Sequence, residues 1–241
     1  MVVEHTVKAY DKELDTLERC LAEMGGIAEK MVIDAVDALA SADSALAHQV
    51  VSSDPRLDTL QHEIEDLAVR TIARRQPVAV DLRELIGAVR IAGDLERVGD
   101  LAKNIAKRSV KIRVEPRVPR AFVGLRHMNE VATELMKDVL DAYAQRDADR
   151  AREVWERDVE LDALEDAVFR ELLTYMMEDP RNISFCAHLL FCSKNIERIG
   201  DHATNIAETV VYLVTGATLP AERPHGRRET DIDIESSGGD A

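Results

Sequence analysis

The chain has 241 residues, of which 31 are Lys or Arg and 46 are Asp or Glu, giving a formal net charge of −15 at neutral pH. A nucleic-acid binder that works by neutralising phosphates needs a basic footprint, so this balance excludes bulk DNA or RNA binding. The apolar runs near 187–192 and 209–214 fall well short of the roughly 20 residues a spanning helix needs, so membrane insertion is not expected.

Aromatics make up only 4% of the chain, with 7 Pro and 11 Gly, while Ala, Leu, Glu, Arg and Asp are abundant. That composition argues against a β-sandwich and for an all-α chain of long helices. The opening MVVEHTVKAYDKELD has no basic segment followed by an apolar run, so no secretory signal is read and a cytoplasmic location is expected. Cys20, Cys186 and Cys192 are scattered, neither a disulfide framework nor a metal knuckle, and read as buried or half-buried thiols.

In chain order, a first helix is predicted from about Asp11 to Ala42, with Leu14, Leu17, Leu21, Met24, Ala28 and Met31 at three- and four-residue spacing. Gly25-Gly26 lowers its propensity without breaking the apolar pattern, so the helix should run through a close-packed or slightly bent point. A second helix is predicted from Ser44, taken as its cap, to Arg75, where Pro77 ends it. A third follows from Asp81 to about Lys111, after which Pro116 and Pro119 enforce a connection at 114–120. The cycle then repeats, with helices from Ala121 to Arg146, from Asp147 to Glu178, and from the Asp179-Pro180-Arg181-Asn182 turn to Thr215. Residues 217–241 are polar and lack aromatics, and a disordered tail is expected.

The two triplets share sequence. Residues 94–107 align without gaps on 195–208 at an offset of 101, with 8 of 14 positions identical, among them Glu96/Glu197, Gly99/Gly200, Asp100/Asp201 and Asn104/Asn205. Asp54, Leu57 and Asp58 match Asp158, Leu161 and Asp162 at an offset of 104. The organisation predicted is therefore two tandem, pseudo-symmetric three-helix bundles, 5–113 and 121–216.

Each copy presents acid pairs at i and i+4 on two helices: Asp54 with Asp58 and Glu96 with Asp100, then Asp158 with Asp162 and Glu197 with Asp201. Such pairs share a helix face, and a helical wheel sets them beside the core stripe. A single pair of this kind reads as a solvated face, and Arg97 and Arg198 are at hand as surface partners. Recurrence on two helices in both copies argues instead for convergence into oxygen-donor sites for hard cations such as magnesium, manganese or iron, with zinc also compatible. Gly99 and Gly200 would leave room for a neighbouring backbone or a cluster. One site per bundle is expected, with Asn104, Asn205 and His202 as candidate auxiliary ligands.

A ferritin-like metal-storage or di-metal oxidase bundle is the competing reading, but its Glu-x-x-His signature occurs only as Glu222-Arg-Pro-His225, outside the helices. Phosphate-binding and hydrolase signatures, G-x-x-x-x-G-K-[ST], G-x-G-x-x-G and G-x-S-x-G, are absent. A basic stretch holds Lys103, Lys107, Arg108, Lys111, Arg113, Arg117 and Arg120 against the single acid Glu115. It reads as dipole compensation and linker, or as a docking patch centred on Lys107, Lys111 and Arg113.

The strings ARRQPVAVDLRELIGAVRIAGDLERVGDLAKNIAKR and MEDPRNISFCAHLLFCSKNIERIGDHATNIAETVVYLVTG resemble the two repeats of the PhoU family. The resemblance covers roughly 5–216 and implies six helices in two bundles, with no enzymatic activity. It implies multinuclear clusters of iron, zinc or other divalent metal on the E(D)-x-x-x-D motifs, here Asp54, Asp58, Glu96, Asp100, Asp158, Asp162, Glu197 and Asp201. It further implies a negative regulator of the phosphate-starvation response. Such a regulator couples the phosphate ABC transporter, through its cytoplasmic ATPase, to a sensor histidine kinase; a homodimer is expected. Leu101 stands opposite His202, and Asp94 opposite Asn195, so the two sites are expected to differ in ligands and metal load.

Overall fold

A computed structural model describes residues 8–112 and 121–220. Residues 1–7, 113–120 and 221–241 lie outside the described residues; they include the expected linker at 114–120, most of the expected tail, and Arg113, Arg117 and Arg120 of the basic stretch.

The chain is all-α. Six helices, α1 (Lys8–Ser41), α2 (Ser44–Arg75), α3 (Val80–Ser109), α4 (Ala121–Gln145), α5 (Ala148–Glu178) and α6 (Ile183–Thr215), follow one another with one 3-10 turn, Pro180–Asn182, before α6. In α1, Leu17, Leu21, Met24, Ala28, Met31 and Ala35 are all buried, which is the spacing of one helical face. Gly25 lies within the unbroken α1, where an added Cβ would meet Leu140 Cδ1 of α4 at 2.7 Å. It marks a close approach of two helices.

The two halves repeat their turns as well as their faces. Asp43, not Ser44, caps α2: its Oδ1 accepts from the N–H groups of Ala45 at 2.9 Å and Leu46 at 3.0 Å. Asp147 does the same for α5, accepting from Asp149 and Arg150, both at 3.0 Å. The residue before each cap is left-handed, Ala42 and Arg146, each with φ 56°. Ser44 is the first residue inside the helix and the cap falls one position earlier than expected, because a carboxylate oxygen of Asp43, carried on an extended backbone, accepts from two amide donors at once. α3 stops at Ser109, short of Lys111.

Within each half, three helices pack mutually; across the halves, α3 packs on α6 and α1 on α4. The buried apolar residues of all six helices form one continuous cluster. Gly87 of α3 permits the seam to close, since a Cβ there would run into the side chain of Leu213. After α6, Gly216 turns left-handed at φ 75°, residues 217–220 have no regular structure, and Leu219 packs against the core. That leucine departs from the expectation of a tail with nothing to dock from 217 onward.

Candidate functional site

The acid pairs are brought into position by two equivalent knob-and-hollow contacts. A Cβ on Gly99 would strike Leu57 of α2, and one on Gly200 would strike Leu161 of α5. The two glycines therefore draw α2 onto α3 and α5 onto α6, and the hollow each leaves is filled by a leucine. The expectation that they leave room for a metal cluster is corrected by this packing; only their role in close helix approach stands.

Leu57 and Leu161 each lie three residues after the first acid of their helix, so the same contact carries Asp54 and Asp158 inward. Both are buried, at 8% and 7% exposure, and Glu197 is buried at 4%. Asp58 is exposed and Glu96, Asp100, Asp162 and Asp201 are half-buried. The Oδ1 of Asp158 lies 3.7 Å from the place a Gly200 Cβ would occupy, next to Asp201 in the chain.

In the first half the four acids share one electrostatic neighbourhood. The Glu96 carboxyl is pushed above its ordinary range by burial, then by Asp100, with Asp58 and Asp54 adding and Arg97 opposing. The ammonium of Lys103 sits between two of them, donating to Asp54 Oδ2 at 2.7 Å on α2 and to Asp100 Oδ1 at 2.5 Å on its own helix. Burial favours its neutral form, but the hydrogen bonds to Asp100 and Asp54 outweigh burial and hold the lysine charged. Arg97 approaches Glu96 at 3.5 Å and Asp100 at 3.8 Å from the solvent side.

In the second half Lys194 pairs with Glu197 at 2.6 Å from one turn earlier on the same helix. Thr204 stands where the first half has Lys103, and its hydroxyl donates to the Gly200 carbonyl at 2.9 Å. His202 points across the seam to Asp94 of α3, Nδ1 to Oδ1 2.9 Å, and the Asn205 amide donates to the same oxygen at 3.4 Å. These two candidate auxiliaries line a cleft of about 490 Å³ between α3 and α6, together with Arg90, Asp94 and Glu96. Asn104 is exposed.

Among the described residues, no three His, Cys, Asp or Glu side chains are gathered closely enough, as they stand, to hold a metal ion. By donor chemistry the acids of the second half suit a hard cation, whereas between Asp54 and Asp100 the chain's own ammonium already lies. Sequence reasoning missed Lys103; the signal available was the Lys103/Thr204 exchange inside an otherwise matched string.

The basic stretch is also partly used internally. Arg108 is within 3.1 Å of His188 Nδ1 and stacks 4.1 Å over the Phe191 ring, tying α3 to α6. Only Lys107 and Lys111 of the described basic residues remain exposed there.

A family model described as the PhoU domain matches residues 21–109 and 125–210. The chain belongs to the PhoU family. Each matched segment falls within one of the duplicated triplets. A "phosphate-specific transport system accessory protein PhoU homolog" of Rhizobium meliloti strain 1021 is 56% identical over 221 residues, covering 91% of this chain and 93% of that one. A protein of the same description from Caulobacter vibrioides strain NA1000 is 51% identical over 223 residues, covering 92% and 97%. Among solved structures, PhoU from Pseudomonas aeruginosa superposes with a TM-score of 0.83 at 43% identity, covering 86% of this chain and all (100%) of that one. The phosphate transport system regulatory protein PhoU from Streptococcus pneumoniae gives 0.81 at 28% identity, covering 88% and 99%. No helix among the described residues is long and apolar enough to cross a membrane.

Proposed function

We propose that this chain is a negative regulator of phosphate uptake and of the phosphate-starvation response, acting as a non-enzymatic adaptor. It couples the cytoplasmic ATPase of a phosphate ABC transporter to a sensor histidine kinase, as a homodimer at the inner face of the membrane. The observation that carries this reading is the near full-length identity to relatives described as accessory proteins of phosphate-specific transport. The surface suits docking by helices: Phe169, Leu173 and Met177 are exposed at four-residue spacing along α5, an apolar stripe with the i, i+4, i+8 pattern of helix recognition.

Asp158, Asp162, Glu197 and Asp201 would hold metal, with iron, zinc, manganese and magnesium as the candidates. Metal held by carboxylates of both helices would bind α5 to α6. Until then Lys194 offsets Glu197 from the solvent edge.

Deleting the gene and following a phosphate-regulon reporter in high phosphate tests the role. Expression should rise in the deletion strain and return to repression on complementation; a reporter that stays repressed overturns the reading. Protein purified without chelator should carry metal by elemental analysis.

A further inference from the structure

The duplication gives two acid faces of nearly the same sequence but not of the same charge arrangement. In the first, Lys103 reaches from α3 to a carboxylate on each helix, Asp54 and Asp100. At the matching position of the second face is Thr204, whose hydroxyl is turned back onto its own helix. The lysine of the second face, Lys194, stands at the position of Gly93 and pairs with Glu197 within α6, with half of its side chain (50%) exposed. The two lysines thus differ in place: Lys103 lies between helices and Lys194 at the rim.

We propose that Lys103 is a tethered resident cation that replaces metal on the first acid face. The metal part of this inference rests on the reading given under Proposed function. The physical basis is competition for one place. An ammonium held by two carboxylates, one of them buried, occupies the point where a shared ion would have to sit, and displacing it would leave a charged lysine without those partners. Being covalently attached, it pays little entropy of association, so a dissociable ion meets a competitor of very high local concentration. It also does the structural work that a metal would do, bridging α2 to α3 beside the Leu57/Gly99 contact.

The test is made on the full chain with three variants: K103M, the carboxylate-neutralised pair E96Q/D100N, and the counterpart pair E197Q/D201N. Metal content per chain should be unchanged in E96Q/D100N and lost in E197Q/D201N. In chelator, K103M should melt about 5 °C or more below wild type, because Asp54 and its neighbours then face one another without the ammonium. Manganese should restore that loss, and the triple variant K103M/E96Q/D100N should recover most of it with no metal present. Metal that disappears in E96Q/D100N, or a K103M protein whose melting in chelator matches wild type, overturns the proposal. If K103M alone fails to fold, the triple variant decides by whether neutralising the acids restores the fold. Wild type without metal would overturn the metal reading, and the melting comparison would still decide the role of Lys103.

Discussion

Gly200 shows how one missing side chain fixes the geometry of a site. Its hollow receives Leu161, which is buried at 1% exposure, and that contact brings Asp158 up to Gly200. A valine at 200 gains helix propensity yet drives its methyls into a packed leucine, and overpacking wins: Gly200→Val should cost about 2 kcal/mol in urea unfolding. Adding Leu161→Ala should return part of that loss, so the two changes are non-additive. Cys192 gives a pH dependence with a definite sign. Burial pushes its thiol up to about 12, against an ordinary value of about 8.5 in an unfolded chain. Below the unfolded value both states are protonated and stability is complete; above it the unfolded chain gives up its proton first, and stability falls as pH rises. Between about pH 8.5 and 10 this group should account for about 2 kcal/mol of loss, seen as a steeper decline in wild type than in Cys192→Ala.

At the level of the helix, α2 is the element that departs from ideal. Pro55 lies in its interior, directly after the buried Asp54, and cannot donate to the carbonyl four residues earlier. The helix continues because Leu57, Leu60 and Ile64 are buried on one face, and packing of an amphipathic stripe outweighs a single lost bond. The matched position in α5 is Val159, without that defect. Pro55 is exposed, so Pro55→Ala restores a backbone bond without disturbing the core and should raise stability by about 2 kcal/mol, read from the thermal midpoint. Should the proline also tilt Asp54 toward Lys103, the gain would be smaller than that.

Across the whole molecule, the halves are joined by more than the apolar seam. Arg146, at the left-handed turn after α4, reaches Glu84 of α3 at 2.6 Å and Glu18 of α1 at 3.0 Å. The turn conformation is tolerated in a non-glycine residue at modest cost, and the side chain it carries links the second half to the first. Since its guanidinium is partly exposed, the pair belongs with salt-screened interactions. Arg146→Met should cost about 1 kcal/mol at low ionic strength and less in high salt. A cost that does not depend on salt would assign the effect to packing over Tyr143 instead, the ring lying 5.2 Å from the guanidinium carbon.

The class of fold, the six helices, the duplicated halves and the repeated acid pairs were all legible in the sequence, because each depends on spacing within one helix. Leu17, Leu21 and Met24 announce their face by period alone, and Glu96 and Asp100 announce that they share one. What crosses between helices has no such period. That Gly99 admits Leu57 rather than an ion, that Arg108 is spent on Phe191 and His188, and that Leu219 returns to the core required the helices to be set side by side. Lys103 is the clearest case: in the sequence it is one more basic residue near a helix end, and only the approach of α2 to α3 makes it the counter-ion of Asp54. Local periodicity determines which residues face inward; which of them meet is decided by the distance and register between helices, a property of the packed whole.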